Sequence, residues 1–177
     1  MLVWLSSCAS SYMANFDYDR SVNFRKYATY KVEPAKTDKD DPVLNSQLNQ
    51  KRIEEAVVTE MKKRGYVRKD ENADLVIKYR IDVENRQEMQ SYNTWGYGWW
   101  GRPNNTYTRN YREARLVINM VDAKTDQLVW QGWSSGEEKN SRKQDQEAAI
   151  YNMVNKILAQ YPHKAGQPYN DNATSRR

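Results

Sequence analysis

At 177 residues the chain has room for one domain with a sizeable core plus short tails, and hardly for two. Hydrophobic residues make up 38% and charged residues 29%, which excludes a wholly disordered chain, while a mean hydropathy of -1.04 points to long polar stretches. The net charge of +5 arises from 28 Lys and Arg interspersed with 23 Asp and Glu, a mixed solvated surface, and a single Cys and a single His exclude an internal disulfide and a Cys/His cluster for zinc, iron–sulfur or haem.

The chain opens on an apolar stub that ends Leu5-Ser6-Ser7-Cys8. This tetrapeptide resembles a bacterial lipobox, in which a large aliphatic residue and two small ones precede a cysteine that becomes thioether-linked to diacylglycerol. Only seven residues precede Cys8, whereas a secretory leader has a charged region and an apolar stretch of roughly 7 to 15 residues. A start upstream or an accidental match both account for that shortfall. The only cysteine of the chain stands at the lipobox position and is followed by the small polar run Ala9, Ser10, Ser11. Ala9 follows it where an Asp would resemble an inner-membrane retention signal. The expectation is a lipid anchor on Cys8, a tether over residues 9–15, and a place in the cell envelope at the outer membrane, facing the periplasm. A full set of acyl chains would exceed the marginal binding of a single chain. No other segment approaches the roughly 20 apolar residues of a spanning helix.

From Phe16 to Val32 the aromatic and β-branched residues predict two extended stretches around a turn at Ser21 to Lys26. A polar linker, Glu33 to Asp41, follows. Asp41-Pro42 is a helix-start signal. Ile53, Ala56, Val57 and Met61 recur at helical spacing, and Gly65 behind Lys62, Lys63 and Arg64 stops the helix at Arg64. Leu44 and Leu48 lie off that face, so the regular helix starts as late as Asn45 to Asn49.

Tyr66 to Lys69 reads as a short strand and Asp70 to Ala73 as a turn. Leu75, Ile77, Tyr79, Ile81 and Val83 then alternate with Val76, Lys78, Arg80, Asp82 and Glu84, a strand with one buried and one mostly wet face. Tyr111 to Val121 and Gln127 to Ser134 form a hairpin across Asp122 to Asp126, with Leu116, Ile118 and Met120 inward on one strand and Leu128 and Trp130 on the other. Trp130 is expected in the core, and Trp133 on the opposite face or exposed. Ile150, Met153, Val154, Ile157, Leu158 and Tyr161 define a second amphipathic helix, which Pro162 ends. The order implies an α+β domain over 16–162, a mostly antiparallel sheet with two amphipathic helices packed on one face. Residues 163–177, His163 included, read as a disordered tail.

The segments FDYDRSVNFRKYATYKV, RIEEAVVTEMKKRGY, ADLVIKYRIDV and LVINMVDAKTDQLVWQGWSSG together resemble a family of uncharacterised bacterial lipoproteins, domain of unknown function forty-one thirty-six. The resemblance covers about residues 12 to 162. It is carried most specifically by Arg52-Ile53, Gly65-Tyr66, Ala73-Asp74-Leu75 and the hairpin from Val121-Asp122-Ala123-Lys124 to Trp130-Gln131-Gly132-Trp133. It implies a lipobox just before the first strand, where Cys8 stands, and brings no activity with it.

The most distinctive local feature is the segment from Ser91 to Tyr111, with Trp95, Tyr97, Trp99, Trp100 and Tyr107 among Gly96, Gly98 and Gly101. Trp and Tyr offer large apolar faces with polar edges, so such a segment suits sugar stacking, a lipid headgroup layer or a protein partner, and equally well a loop folded back over the sheet. A nucleic-acid reading through Lys78, Arg80, Arg112 and Arg115 is interrupted by Asp82, Glu84 and Glu113 and lacks a recognised motif, so no nucleic acid is expected. A carboxylate pair drawn from Asp74, Asp82, Glu113 and Asp122 has no diagnostic spacing, and Ser134-Ser135-Gly136 lacks the strand-to-helix elbow of a hydrolase serine. The glycines stand among bulky aromatics, unlike a phosphate loop. The sequence therefore predicts a non-catalytic, cofactor-free and metal-free binding or structural module with an envelope protein or glycan as partner; the alternative is an envelope glycan hydrolase using acidic residues.

Overall fold

The computed structural model describes residues 13–35, 46–91, 106–137 and 143–167. In chain order these form β1 (Met13–Tyr18), a single 3-10 turn at Phe24–Lys26, β2 (Thr29–Pro34), α1 (Gln47–Lys63), β3 (Val67–Arg68), β4 (Leu75–Ser91), β5 (Thr106–Asp122), β6 (Leu128–Glu137) and α2 (Lys143–Ala159). The strands make one six-stranded sheet in the order β1-β6-β5-β4-β2-β3.

The α+β class is as expected, but the sheet is mixed. β4, β5 and β6 are antiparallel neighbours and β1 is antiparallel to β6, whereas β2 runs parallel to both β4 and β3. The reason is the helix between them. A strand, a crossover helix and a second strand bring the two strands back side by side in the same direction, and α1 is that crossover between β2 and β4. The two extended stretches before α1 accordingly never pair with each other; β1 closes one edge of the sheet and β2 sits near the other.

Local chemistry explains the elements. α1 buries Ile53, Ala56, Val57 and Met61 along one stripe, and Leu48 stays exposed off that stripe. Gly65, at φ 80°, ends it: its N–H donates to the Lys62 carbonyl and the Tyr66 N–H to that of Met61, which satisfies two of the last free carbonyls of the helix. The start signal at Asp41-Pro42, with Leu44, lies outside the described residues. In β4, Leu75, Ile77, Tyr79 and Ile81 are buried, each 6% exposed or less, while Lys78, Arg80 and Asp82 on the other side are half-exposed. The helix-facing side of β4, with Leu116, Ile118 and Met120 of β5, joins α1 and the Ile150 to Tyr161 stripe of α2 in one core.

One hairpin detail departs from regular alternation. Met120 pairs with Trp130 but Val121 with Leu128, so Val129 is an extra residue, a β-bulge. Leu128 therefore does not share the inner face with Trp130: it is 48% exposed, and Val129 enters the core beside Trp130. Beyond the bulge Trp133 lies opposite Val117, on the face away from the helices, and is half-buried.

The ordered domain exceeds the expected 16–162 at both ends: β1 already begins at Met13, inside the stretch expected as tether, and the fold runs past residue 162. His163 is buried, and the Ala165 N–H donates to the Arg64 carbonyl, which binds the chain after α2 onto the end of α1.

Candidate functional site

Four carboxylates invited an acid–base reading, and the structure splits them into two pairs. Asp74 and Asp122 stand at one end of the sheet, where β4 begins and β5 ends, and both grip the segment from Lys26 to Thr29. Asp74 Oδ2 accepts from the N–H groups of Ala28 and Thr29 and from the Thr29 hydroxyl, at 2.8–3.0 Å. Asp122 Oδ2 accepts from Lys26 Nζ at 2.6 Å and from the Tyr27 hydroxyl at 2.8 Å, while its Oδ1 accepts from the N–H groups of Lys124 and Thr125. Burial works to raise both carboxyl pKa values, and in each the hydrogen bonds prevail and hold the group below the usual carboxylate range. A carboxylate so occupied is an acceptor for the backbone, a strand-end anchor, with its lone pairs already engaged.

Asp82 and Glu113 lie at the other end, on the face of the sheet away from the helices and diagonal to each other across β4 and β5. Each faces a guanidinium: Arg80 Nε is 3.0 Å from Asp82, and Arg86 Nε is 2.9 Å from Glu113. Arg80, named in the nucleic-acid reading, is thus matched by an acid, and Lys78 is paired with Asp126. Among the described residues no group of three or more His, Cys, Asp and Glu could hold a metal ion.

The strands that flank the aromatic segment are longer than the sequence pattern predicts. β4 and β5 stay paired over all seventeen residues, from Leu75 with Asp122 to Ser91 with Thr106, but β2 reaches only as far as Tyr79 and β6 only as far as Glu113. Beyond those limits, among the described residues, the two strands continue as a two-stranded ribbon whose side chains from Glu84 to Glu88 and from Thr108 to Asn110 are exposed. Arg86 bridges Glu84 and Glu113 on one side of it, and the Arg109 guanidinium lies 5.9 Å from the Tyr111 ring centroid. Trp95, Tyr97, Trp99 and Trp100 lie outside the described residues, in the stretch that links the strands beyond Ser91 and Thr106. Tyr107 is within β5, paired with Gln90. Cys8 also lies outside the described residues.

Two networks escaped the sequence reading. Between the helix ends, buried Glu60 receives Lys63, Arg64 and Asn155, and Arg64 donates onward to the carbonyls of Leu158 and Tyr161. The Glu60–Arg64 spacing of four was a legible helix pair; its link to α2 was not. The second network is aromatic. His163 stacks on Phe24 at 3.9 Å between ring centroids, with Tyr161 edge-on at 5.2 Å. The Tyr66 and Tyr161 hydroxyls are 2.9 Å apart.

Burial pulls the His163 pKa down to about 4 from 6.5. The unfolded chain then binds more protons than the folded one between those values, so this residue's contribution is full above about pH 6.5 and falls as pH drops toward 4. Urea midpoints are expected to fall over that window by the equivalent of up to about 3 kcal/mol, and His163→Phe to flatten this part of the profile. An unchanged slope in His163→Phe would exclude His163 as the titrating group.

An open α+β domain with a mixed sheet, helices on one face and a long hairpin at one end is the class these features define. Residues 14–163 match the family model described as Domain of unknown function (DUF4136), and the chain belongs to that family. None of the curated proteins matches it. Among solved structures it is similar to a PDZ domain protein from Parabacteroides distasonis, with a TM-score of 0.54, 14% identity and 88% of this chain covered. The match spans 37% of that protein's length and concerns fold alone. A PelC dodecamer from Paraburkholderia phytofirmans gives a TM-score of 0.49 at 12% identity, covering 88% of this chain and 99% of that one. A minor lipoprotein from Acinetobacter baumannii gives 0.39 at 8%, covering 76% and 89%.

Proposed function

We propose that this chain is a cell-envelope lipoprotein, anchored through Cys8 to the outer membrane and facing the periplasm, that acts as a non-catalytic binding or structural module for an envelope protein or glycan. The observation that carries the anchor is position. The only cysteine stands in a lipobox-like tetrapeptide five residues ahead of Met13, where β1 begins, so a short tether leads directly into the first element of the domain. No helix among the described residues is long and apolar enough to cross a membrane, and an acyl anchor needs none.

The non-catalytic reading is supported by the occupation of the acids. Asp74 and Asp122 hold backbone and turn, and Asp82 and Glu113 are matched by arginines, so none of the four is set up as a free acid or base beside a cleft. A partner is instead offered the ribbon and the Trp/Tyr segment it carries in sequence.

Expression from the native locus, with the sequence upstream of Met1 intact, provides the test. Palmitate labelling and membrane fractionation of the wild type are expected to give a labelled, membrane-retained protein, and Cys8→Ala to lose at least about ten-fold of both. Two equally unlabelled, soluble proteins would remove the anchor.

A further inference from the structure

The strand directions set an unequal contest of lengths at one end of the sheet. β1 runs antiparallel to β6, β6 to β5 and β5 to β4, so Met13 enters the sheet at the end from which the ribbon leaves. Met13 stands in the same row as Ser135, Arg115 and Asp82. From that row β4 continues nine residues to Ser91, which at about 3.4 Å each is about 30 Å. From Met13 back to Cys8 there are five steps of chain, which fully extended reach at most about 18 Å.

We infer that the ribbon formed by β4 and β5 beyond Asp82 and Arg115 is a membrane-contacting arm, which the short tether brings against the bilayer that holds Cys8. This rests on the anchor proposed above. With the acyl group in the bilayer, the surface lies no farther than the tether's length from Met13, and the ribbon outreaches that distance. A domain standing with this end of the sheet toward the bilayer lays the arm along the headgroups or dips its end among them. The chemistry suits a headgroup layer that carries both signs of charge: Arg86, Arg109 and Arg112 alternate with Glu84, Glu88 and Glu113, Gln87 lies opposite Asn110, and the two strands carry no run of apolar residues that would drive them into the hydrocarbon.

The test separates the arm from the natural anchor. Purified unacylated protein is coupled through Cys8 to a maleimide lipid in vesicles of phosphatidylethanolamine and phosphatidylglycerol. A photo-crosslinking phenylalanine analogue is placed at Asn110 on the arm or at Lys124, at the opposite end of β5. Lipid adducts at Asn110 at least about ten-fold above those at Lys124 are expected. Vesicle-bound protein with no adduct at Asn110, or with equal adducts at both positions, would overturn the arm and leave the lipoprotein reading standing. Failure of palmitate labelling in cells would remove the anchor and this inference with it.

Discussion

Asp122→Ala is expected to destabilise the domain by about 3 kcal/mol, the sum of stranding a buried hydroxyl and freeing a turn. Asp122 is 4% exposed, and its carboxylate ties three elements together: Lys26 and Tyr27 ahead of β2, its own place at the end of β5, and the Lys124 and Thr125 N–H groups that start the turn into β6. Removing it leaves the Tyr27 hydroxyl, in a side chain 2% exposed, without this acceptor. The Lys26 half of the interaction matters less. Its side chain is 52% exposed, so the ammonium returns to water, and Lys26→Ala should stay under about 1 kcal/mol. Asp122→Asn keeps one acceptor and should fall between them. The sign with pH follows from the depressed carboxyl pKa: the contribution is full above the unfolded value near 3.8 and is lost as pH falls below it toward the folded value. Urea midpoints of the three variants at pH 7 decide the matter, and an Asp122→Ala midpoint equal to wild type would refute the anchor role.

That residue also shows how far the sequence could be read. Asp122 looked like a turn residue because it stands between two strand patterns, and it is one; nothing in its neighbourhood said that Lys26 and Tyr27, ninety-odd positions away, would bond to it. Alternation in β4 and the helical stripes of α1 and α2 were legible because burial against a single core imposes period 2 or 3.6 on local sequence. The parallel placement of β2 was not, since strand direction is set by what the crossover helix covers and leaves no mark within the strand. Leu128 failed for a related reason. A bulge shifts the side-chain count by one, and Leu128-Val129-Trp130 is apolar in either register.

The candidate site divides in the same manner. The composition of the Trp/Tyr segment was visible at once, because six of its positions between Trp95 and Tyr111 are aromatic. The length of the β4–β5 pairing that flanks it was hidden, because residues 84–91 and 106–112 hold few apolar side chains and no alternation that marks a buried face. Tail residues after Pro162 misled through polarity. His163 reads as a surface residue, yet Phe24 supplies a flat face on which a neutral imidazole stacks as an aromatic ring, with Tyr161 edge-on beside it.

Gly132 is the position where the smallest substitution should have the largest effect. It lies opposite Ile118 on the helix-facing side of β6, between Trp130 and Ser134, both fully buried. A Cβ there would stand 2.3 Å from Trp130 Cη2 and 2.6 Å from Ile157 Cγ2, well inside contact distance. The indole ring therefore occupies the space a side chain would take, with α2 packed above it; this glycine serves close approach. Neither neighbour can yield freely, since Trp130 and Ile157 are each 0% exposed. Gly132→Ala is expected to lose about 2–3 kcal/mol, and Gly132→Val to leave little folded protein at 37 °C. Trp130→Phe alone should lose about 2–3 kcal/mol by emptying part of the core. The double variant discriminates the cause: if the indole is what the new methyl strikes, shortening the ring relieves the clash, and the two changes together should fall short of additivity by at least about 1 kcal/mol. Strict additivity across the urea-derived cycle would assign the loss at Gly132 to Ile157 or to the strand backbone, and would withdraw the packing of Trp130 over Gly132 as its explanation.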